Sequence, residues 1–214
     1  MISALFATAS IFLILVLSEF LWRRARVRGE FARKFVHIIA GSFIAFLPFW
    51  VSYGWIIVLA AGFIFANLVN RYTEVFHAIH AITRKSWGDL LFGISILLMA
   101  VWGPNKWLFT GAILQVALAD GLAAVIGTRY SKKRYKVFDH YKSVIGTLAY
   151  FAASFAIMVF IVRLGALTSV LSNIELFLVA SVFLTLLENI SGYGLDNISL
   201  PLGFLVLVKG LGVI

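Results

Sequence analysis

The chain has no cysteine, which excludes disulfides, thiolate nucleophiles and cysteine-bound metals. Charge is scarce as well: only 13% of the residues are Asp, Glu, Lys or Arg, against about 25% in soluble globular domains. Acidic residues are the scarcer kind, nine against eighteen basic ones in 214 residues. What remains is apolar, 62% of the sequence. The apolar runs do not alternate residue by residue, which excludes a membrane β-barrel. Several of them reach about 16 residues or more, where a helix needs about 20 to cross a bilayer. The composition therefore describes an all-α polytopic integral membrane protein. The first apolar run has no basic region ahead of it and no evident cleavage site, so it reads as a span and not as a removed signal.

The runs place spans at residues 2–22, 35–50, 54–70, 89–103, 107–127, 143–162, 174–190 and 198–214, seven or eight in all because the last is short and carries Lys209. Between the third and fourth, residues 72–87 set Val75, Phe76, Ile79 and Ile82 among His77, His80, Arg84 and Lys85. That pattern reads as an amphipathic helix on the cytoplasmic surface. The whole chain reads as one catalytic domain, with a peripheral first helix at 2–22 and a core at 30–202. Fifteen lysines and arginines fall in the odd-numbered connections and two, Lys106 and Arg163, in the even-numbered ones. The positive-inside rule then puts the odd connections in the cytoplasm and the N-terminus outside. The charge of +9 is thus explained by topology and by anionic lipid heads, and nucleic acid is not an expected partner.

The remaining polar residues gather on that same side. Arg33, Lys34 and His37 begin the second span one helical turn apart. A histidine inside a span is rare enough to suggest function, while the cations also suit a snorkelling cluster. Asn67 and Asn70 read equally well as bonds between helices. Asp120 lies about two turns inside the fifth span. An isolated carboxylate there costs at least about 2.5–3.5 kcal/mol, so a cation, a metal or a partner such as Lys142 must offset it. A plain ion pair fixing two helices is the alternative. Small residues flank it: Gly121, Ala123, Ala124 and Gly127 on one span, Gly146, Ala149 and Ala152 on the next. They let the two helices pack closely.

The basic stretch between these spans lacks the G-x-x-x-x-G-K-[ST] pattern. Lys132, Lys133, Arg134 and Lys136 can nevertheless hold phosphates, and Lys142-Ser143 opens a helix whose free N–H groups favour an anion. Further on, Glu188-Asn189 and Asp196-Asn197 bracket a glycine turn. Hard oxygen donors of this kind suit Mg²⁺.

Arg33-Lys34-x-x-His37, Ala119-Asp120-x-x-Ala123 followed by Gly127, the Lys132-Lys133 pair, Lys142-Ser143-x-x-Gly146, and Glu188 with Asp196-Asn197-x-x-x-Pro201 occur in an order that resembles the polyprenol kinase family. Dolichol, phytol and farnesol kinases and the CTP-dependent diacylglycerol kinase belong to that family. Ser131 stands where the family usually has glycine, and Ile145 where it often has glutamate. The Asp-to-Lys-Ser-Gly block is also similar to phosphatidate cytidylyltransferases, whose C-terminal His-Gly-Gly and Asp-Arg signature is absent here.

The resemblance implies transfer of the γ-phosphate of CTP to an isoprenoid alcohol or diacylglycerol. On this expectation Arg33, Lys34, Lys132, Lys133, Lys142, Ser143 and Gly146 serve the nucleotide. Asp120, Glu188, Asp196 and Asn197 hold Mg²⁺, and His37 orients the lipid hydroxyl or takes its proton. The alternatives are a phosphatidate cytidylyltransferase and a non-enzymatic lipid transporter. The expected partners are a lipid alcohol from the bilayer and a nucleoside triphosphate; a homo-oligomer is left open.

Overall fold

A computed structural model describes residues 2–24, 30–73, 87–102, 105–165 and 174–210. Among them the chain runs through α1 (Ile2–Arg24), α2 (Glu30–Ala45), α3 (Tyr53–Thr73), α4 (Gly88–Trp102) and α5 (Lys106–Leu114). A π-helical turn, Gln115–Asp120, leads from α5 into α6 (Gly121–Tyr130). Two short strands follow, β1 (Arg134–Val137) and β2 (His140–Ser143), then α7 (Val144–Gly165), α8 (Ile174–Ile190) and α9 (Asp196–Gly210). The expected amphipathic helix at 72–87, with His77 and His80, lies almost wholly outside the described residues, as does the end of the last span.

The helical class is the one the composition implied, with a correction at the basic stretch. Residues 134–143 form an antiparallel hairpin in which Arg134 pairs with Ser143, Tyr135 with Lys142, Lys136 with Tyr141 and Val137 with His140. Its turn is Phe138-Asp139, and Phe138 takes a φ of 48°, the left-handed conformation that tight hairpin turns require.

Two of the helical stretches, Lys106–Tyr130 and Val144–Gly165, are long and apolar enough to cross a membrane; Tyr53–Val69 and Gly88–Trp102 are shorter apolar helices. Large apolar side chains on the outer faces remain exposed, Phe65, Val179 and Val206 among them. Lipid covers such surfaces in a membrane protein, so the bundle cannot be held together by burial of apolar groups from water. Helix association rests on close packing and on polar contacts instead.

The stretch α5–π turn–α6 is the central post. Phe109, Ala112, Ile113, Val116, Ala117 and Ala119 are all fully buried, and α2, α7 and α9 pack around it. Small residues set how near the neighbours come. A methyl group at Gly41 of α2 would meet Ala117 Cβ at 2.5 Å. One at Gly146 of α7 would stand 2.9 Å from the Ala123 carbonyl oxygen and 3.3 Å from Gly127 Cα. The backbones of α6 and α7 therefore touch where the hairpin leaves one and enters the other. This crossing fixes where the first turn of α7 sits.

Replacing Gly146 by alanine is expected to wedge α6 from α7 and to lower stability by about 1–3 kcal/mol, the usual cost of overpacking. Gly62→Ala on α3 is the control, because nothing lies within 4 Å of the added methyl. Thermal unfolding of the two variants in one detergent separates the outcomes.

Candidate active site

One cavity of about 370 Å³ opens at the end of the bundle where α2, α7 and α9 begin and α6 and α8 end. Lys34, Asp120, Lys142, Glu188, Asp196 and Asn197 line it, together with Gly127, Ser143 and Gly146. Residues up to 163 positions apart in sequence thus meet in one place. The volume lies in the range of small-ligand sites.

Asp120 ends the π-helical turn and is 3% exposed. Isolated π turns inside α-helices often occur at functional positions. Its cation is Lys34 of α2, itself 8% exposed. Lys142, the expected candidate, ion-pairs instead with Glu188 near the end of α8. Two buried pairs therefore stand side by side in one cavity.

Asp196 completes the acidic set at the start of α9. Its Oδ1 accepts from the backbone N–H of Asn197 at 2.9 Å and from the Asn197 amide at 2.8 Å. Among the described residues no hydrogen bond or ion pair is made to the other oxygen, Oδ2. The cavity thus holds three carboxylates against one buried ammonium group, Lys34, and one partly buried, Lys142, with Arg134 exposed at its rim. Among the described residues no three acidic or histidine side chains are grouped closely enough to hold a metal ion unaided. The Asn197 amide is also committed, donating to the Gly194 carbonyl at 3.1 Å.

The first turn of α7 owes its shape to Ser143, whose Oγ accepts the Gly146 N–H at 3.0 Å. That is an N-cap bond. Gly146 contributes through its lack of a side chain, as described above. The loop from α8 to α9 turns sharply, with Tyr193 at φ 56° and Gly194 at φ 91°. A bond between Ser191 and Ser199 hydroxyls, 2.7 Å apart, fastens it.

Not every expected residue reaches the cavity. Lys132 and Lys133 are exposed before the hairpin and are not among its lining residues; Arg134 and His140 are. His37 lies one turn beyond Lys34, and its ring tilts against Phe92 with centroids 4.7 Å apart. It is not a lining residue either. Arg33 falls within α2, but its side chain is outside the described set. Asn67 bonds its own helix, to the Phe63 carbonyl at 2.9 Å.

Sequence reasoning missed the role of Asn189 and its partners. Asn189 Oδ1 accepts from Tyr135 Oη at 2.5 Å and from Thr147 Oγ1 at 3.3 Å. Its carbonyl oxygen lies 3.0 Å from His140 Nε2, so that nitrogen carries the proton. The polar-apolar alternation of residues 134–143 was the available signal. A phenylalanine at the turn, where Asn-Gly would be expected, obscured it.

Comparison with known proteins agrees with this picture. The chain is 32% identical to a phytol kinase from Synechocystis over 197 residues, which are 89% of this chain and 83% of that one. No family model matches, and no solved structure matches. A helical membrane bundle with a charged cavity at one end defines the class. Within that class, the chain belongs to the polyprenol/phytol kinase family.

Removing one partner of the Lys34–Asp120 pair strands a buried charge, so Lys34→Met or Asp120→Leu alone is expected to cost about 3–5 kcal/mol. The double variant is expected to recover most of that loss, because well-packed apolar groups replace a buried pair at little cost. Thermal unfolding of the two single variants and the double one in detergent tests this.

Proposed function

We propose that the protein is a membrane-embedded lipid-alcohol kinase that transfers the γ-phosphate of CTP to an isoprenoid alcohol. The observation that carries this reading is the cavity in which Asp120, Glu188 and Asp196 meet Lys34 and Lys142. The phytol kinase relative supports the class of acceptor. CTP as donor and the particular alcohol rest on the sequence resemblance.

Phosphoryl transfer demands little covalent chemistry from a protein; it demands positioning and charge neutralisation. Lys142 and Lys34 would receive the phosphate oxygens, with Arg134 at the rim. The first turn of α7 begins beside them, with its Val144 and Gly146 N–H groups already bonded to the Lys133 carbonyl and Ser143 Oγ. The carboxylates fit a magnesium ion that arrives on the nucleotide. Mg²⁺ is usually held by one or two carboxylates plus substrate phosphates, not by an all-protein cage, and the open Oδ2 of Asp196 is such a donor. Asp120 and Asp196 would hold the ion, with Glu188 and Asn197 beside them; bound there it would offset the charge on the transferred group.

With nucleotide bound, Lys34 and Lys142 would turn from their carboxylates to phosphate oxygens. Before that, the pairs keep the empty site nearly neutral. The acceptor alcohol comes sideways from the bilayer. Carrying a long isoprenoid tail into water costs about 0.8 kcal/mol per CH₂, so the catalyst must lie where the tail lies. On this reading His37, one turn inside from Lys34, would have to turn from Phe92 to orient the alcohol or take its proton. Seven or eight spans with the site at the cytoplasmic face and the N-terminus outside complete the proposed topology.

The test is one incubation of the reconstituted protein with CTP labelled at the α- or γ-position and a panel of phytol, polyprenols, diacylglycerol and phosphatidate. A kinase puts γ-label into the lipid and releases CDP. A cytidylyltransferase puts α-label there and releases pyrophosphate, and a transporter does neither. Asp120→Asn and Lys142→Ala are each expected to lower turnover by about 10²–10³-fold, the scale for loss of one electrostatic contact to a developing charge. Full turnover by both folded variants overturns the site.

A further inference from the structure

Two side chains of the hairpin converge on one residue of the bundle that does not line the cavity. Tyr135 of β1 and His140 of β2 both reach Asn189, one through the side-chain oxygen and the other through the backbone carbonyl. Asn189 cannot swing to follow them. It is 9% exposed, and its amide nitrogen donates to the Thr185 carbonyl at 2.9 Å within α8. Thr147 of α7 reaches the same oxygen, and its hydroxyl lies 2.5 Å from that of Tyr135. His140 also lies so close to the loop after α8 that a methyl at Gly192 would stand 2.9 Å from its Nδ1.

The register ties these contacts to the cavity. Tyr135 lies directly opposite Lys142, and Val137 opposite His140, so Tyr135, His140 and Lys142 share one face of the ribbon, because side chains alternate between faces. Glu188, the partner of Lys142, immediately precedes Asn189 on α8. The opposite face, with Lys136 and Tyr141, is exposed. A two-stranded hairpin is marginally stable alone; without this fastening Lys142 is held by its ion pair with Glu188 and by the ends of the ribbon.

We propose that Asn189, acting through Tyr135 and His140, is a positioning residue that clamps the hairpin onto α8 and so delivers Lys142 to the phosphates of the nucleotide. The proposal rests on the kinase reading for its consequence and on the hydrogen bonds for its geometry. The clamp serves the nucleotide and not the lipid, because Lys142 is the only cavity lysine that the hairpin carries among the described residues.

The experiment uses the full chain in vesicles with Tyr135→Phe, which removes one hydroxyl and keeps the ring. KM for CTP is expected to rise about 3- to 10-fold, the equivalent of one hydrogen bond, with kcat and the lipid KM unchanged. Asn189→Leu, which removes the accepting oxygen, is expected to match or exceed Tyr135→Phe. A second readout needs no activity. Acylation of lysines by an amine-reactive ester, followed by peptide mass spectrometry, is expected to modify Lys142 several-fold faster in Tyr135→Phe than in wild type, with Lys132 and Lys133 unchanged. Equal Lys142 labelling in the two proteins, or a loss that falls equally on CTP and lipid, overturns the clamp. A wild type that transfers no γ-phosphate while Lys142 labelling still responds overturns the kinase reading and leaves the clamp standing.

Discussion

The ion pair between Lys34 and Asp120 is the contact on which the arrangement turns. It joins the start of α2 to the middle of the central post, in a place where neither charge has ready access to water. Removing two charges from water costs several kcal/mol per ion, and mutual attraction repays it only with good geometry. A buried pair of this kind adds little net stability, and what it fixes here is the position of α2 against the central post. Once α2 is tied to Asp120, the close approaches at Gly41 and Gly121 follow, and the floor of the cavity is set.

The second pair, Lys142 with Glu188, repeats the device on the opposite wall with one difference. Lys34 is fixed by a long helix, whereas Lys142 rides on a short ribbon that needs its own fastening at Asn189. Asp196 makes the set uneven, because its second oxygen has no partner among the described residues. With Arg134 at the rim, three cationic side chains face the three carboxylates, and the open oxygen of Asp196 is the acceptor left over.

Much of this was legible before any coordinates. The apolar runs located the described helices to within a few residues at most ends, and two of them, Lys106–Tyr130 and Val144–Gly165, are long and apolar enough to cross a membrane. The side on which Asp120, Lys142, Glu188 and Asp196 gather followed from their places near the ends of alternate runs. Pairing was not legible: Lys34, not Lys142, answers Asp120, because which lysine reaches a buried acid depends on helix rotation, and a one-residue change in an apolar helix leaves its composition untouched. The π turn at Gln115–Asp120 leaves no periodic signal in a stretch that is apolar on every face. The hairpin was hidden by Phe138, and with it the reason that Arg134 and His140 reach the cavity while Lys132 and Lys133 do not. His37 was singled out for lying inside a span, yet it packs on Phe92 behind the cavity wall.

The most direct measurement is equilibrium binding to the vesicle-reconstituted protein of a non-hydrolysable CTP analogue with and without Mg²⁺. If the internal ion pairs exchange partners with an incoming complex, each component raises the affinity of the other by about tenfold or more, a coupling of about 1.4 kcal/mol, and Asp120→Asn abolishes that coupling. Equal affinity for the analogue at all magnesium concentrations, with Asp120→Asn indistinguishable from wild type, would contradict it.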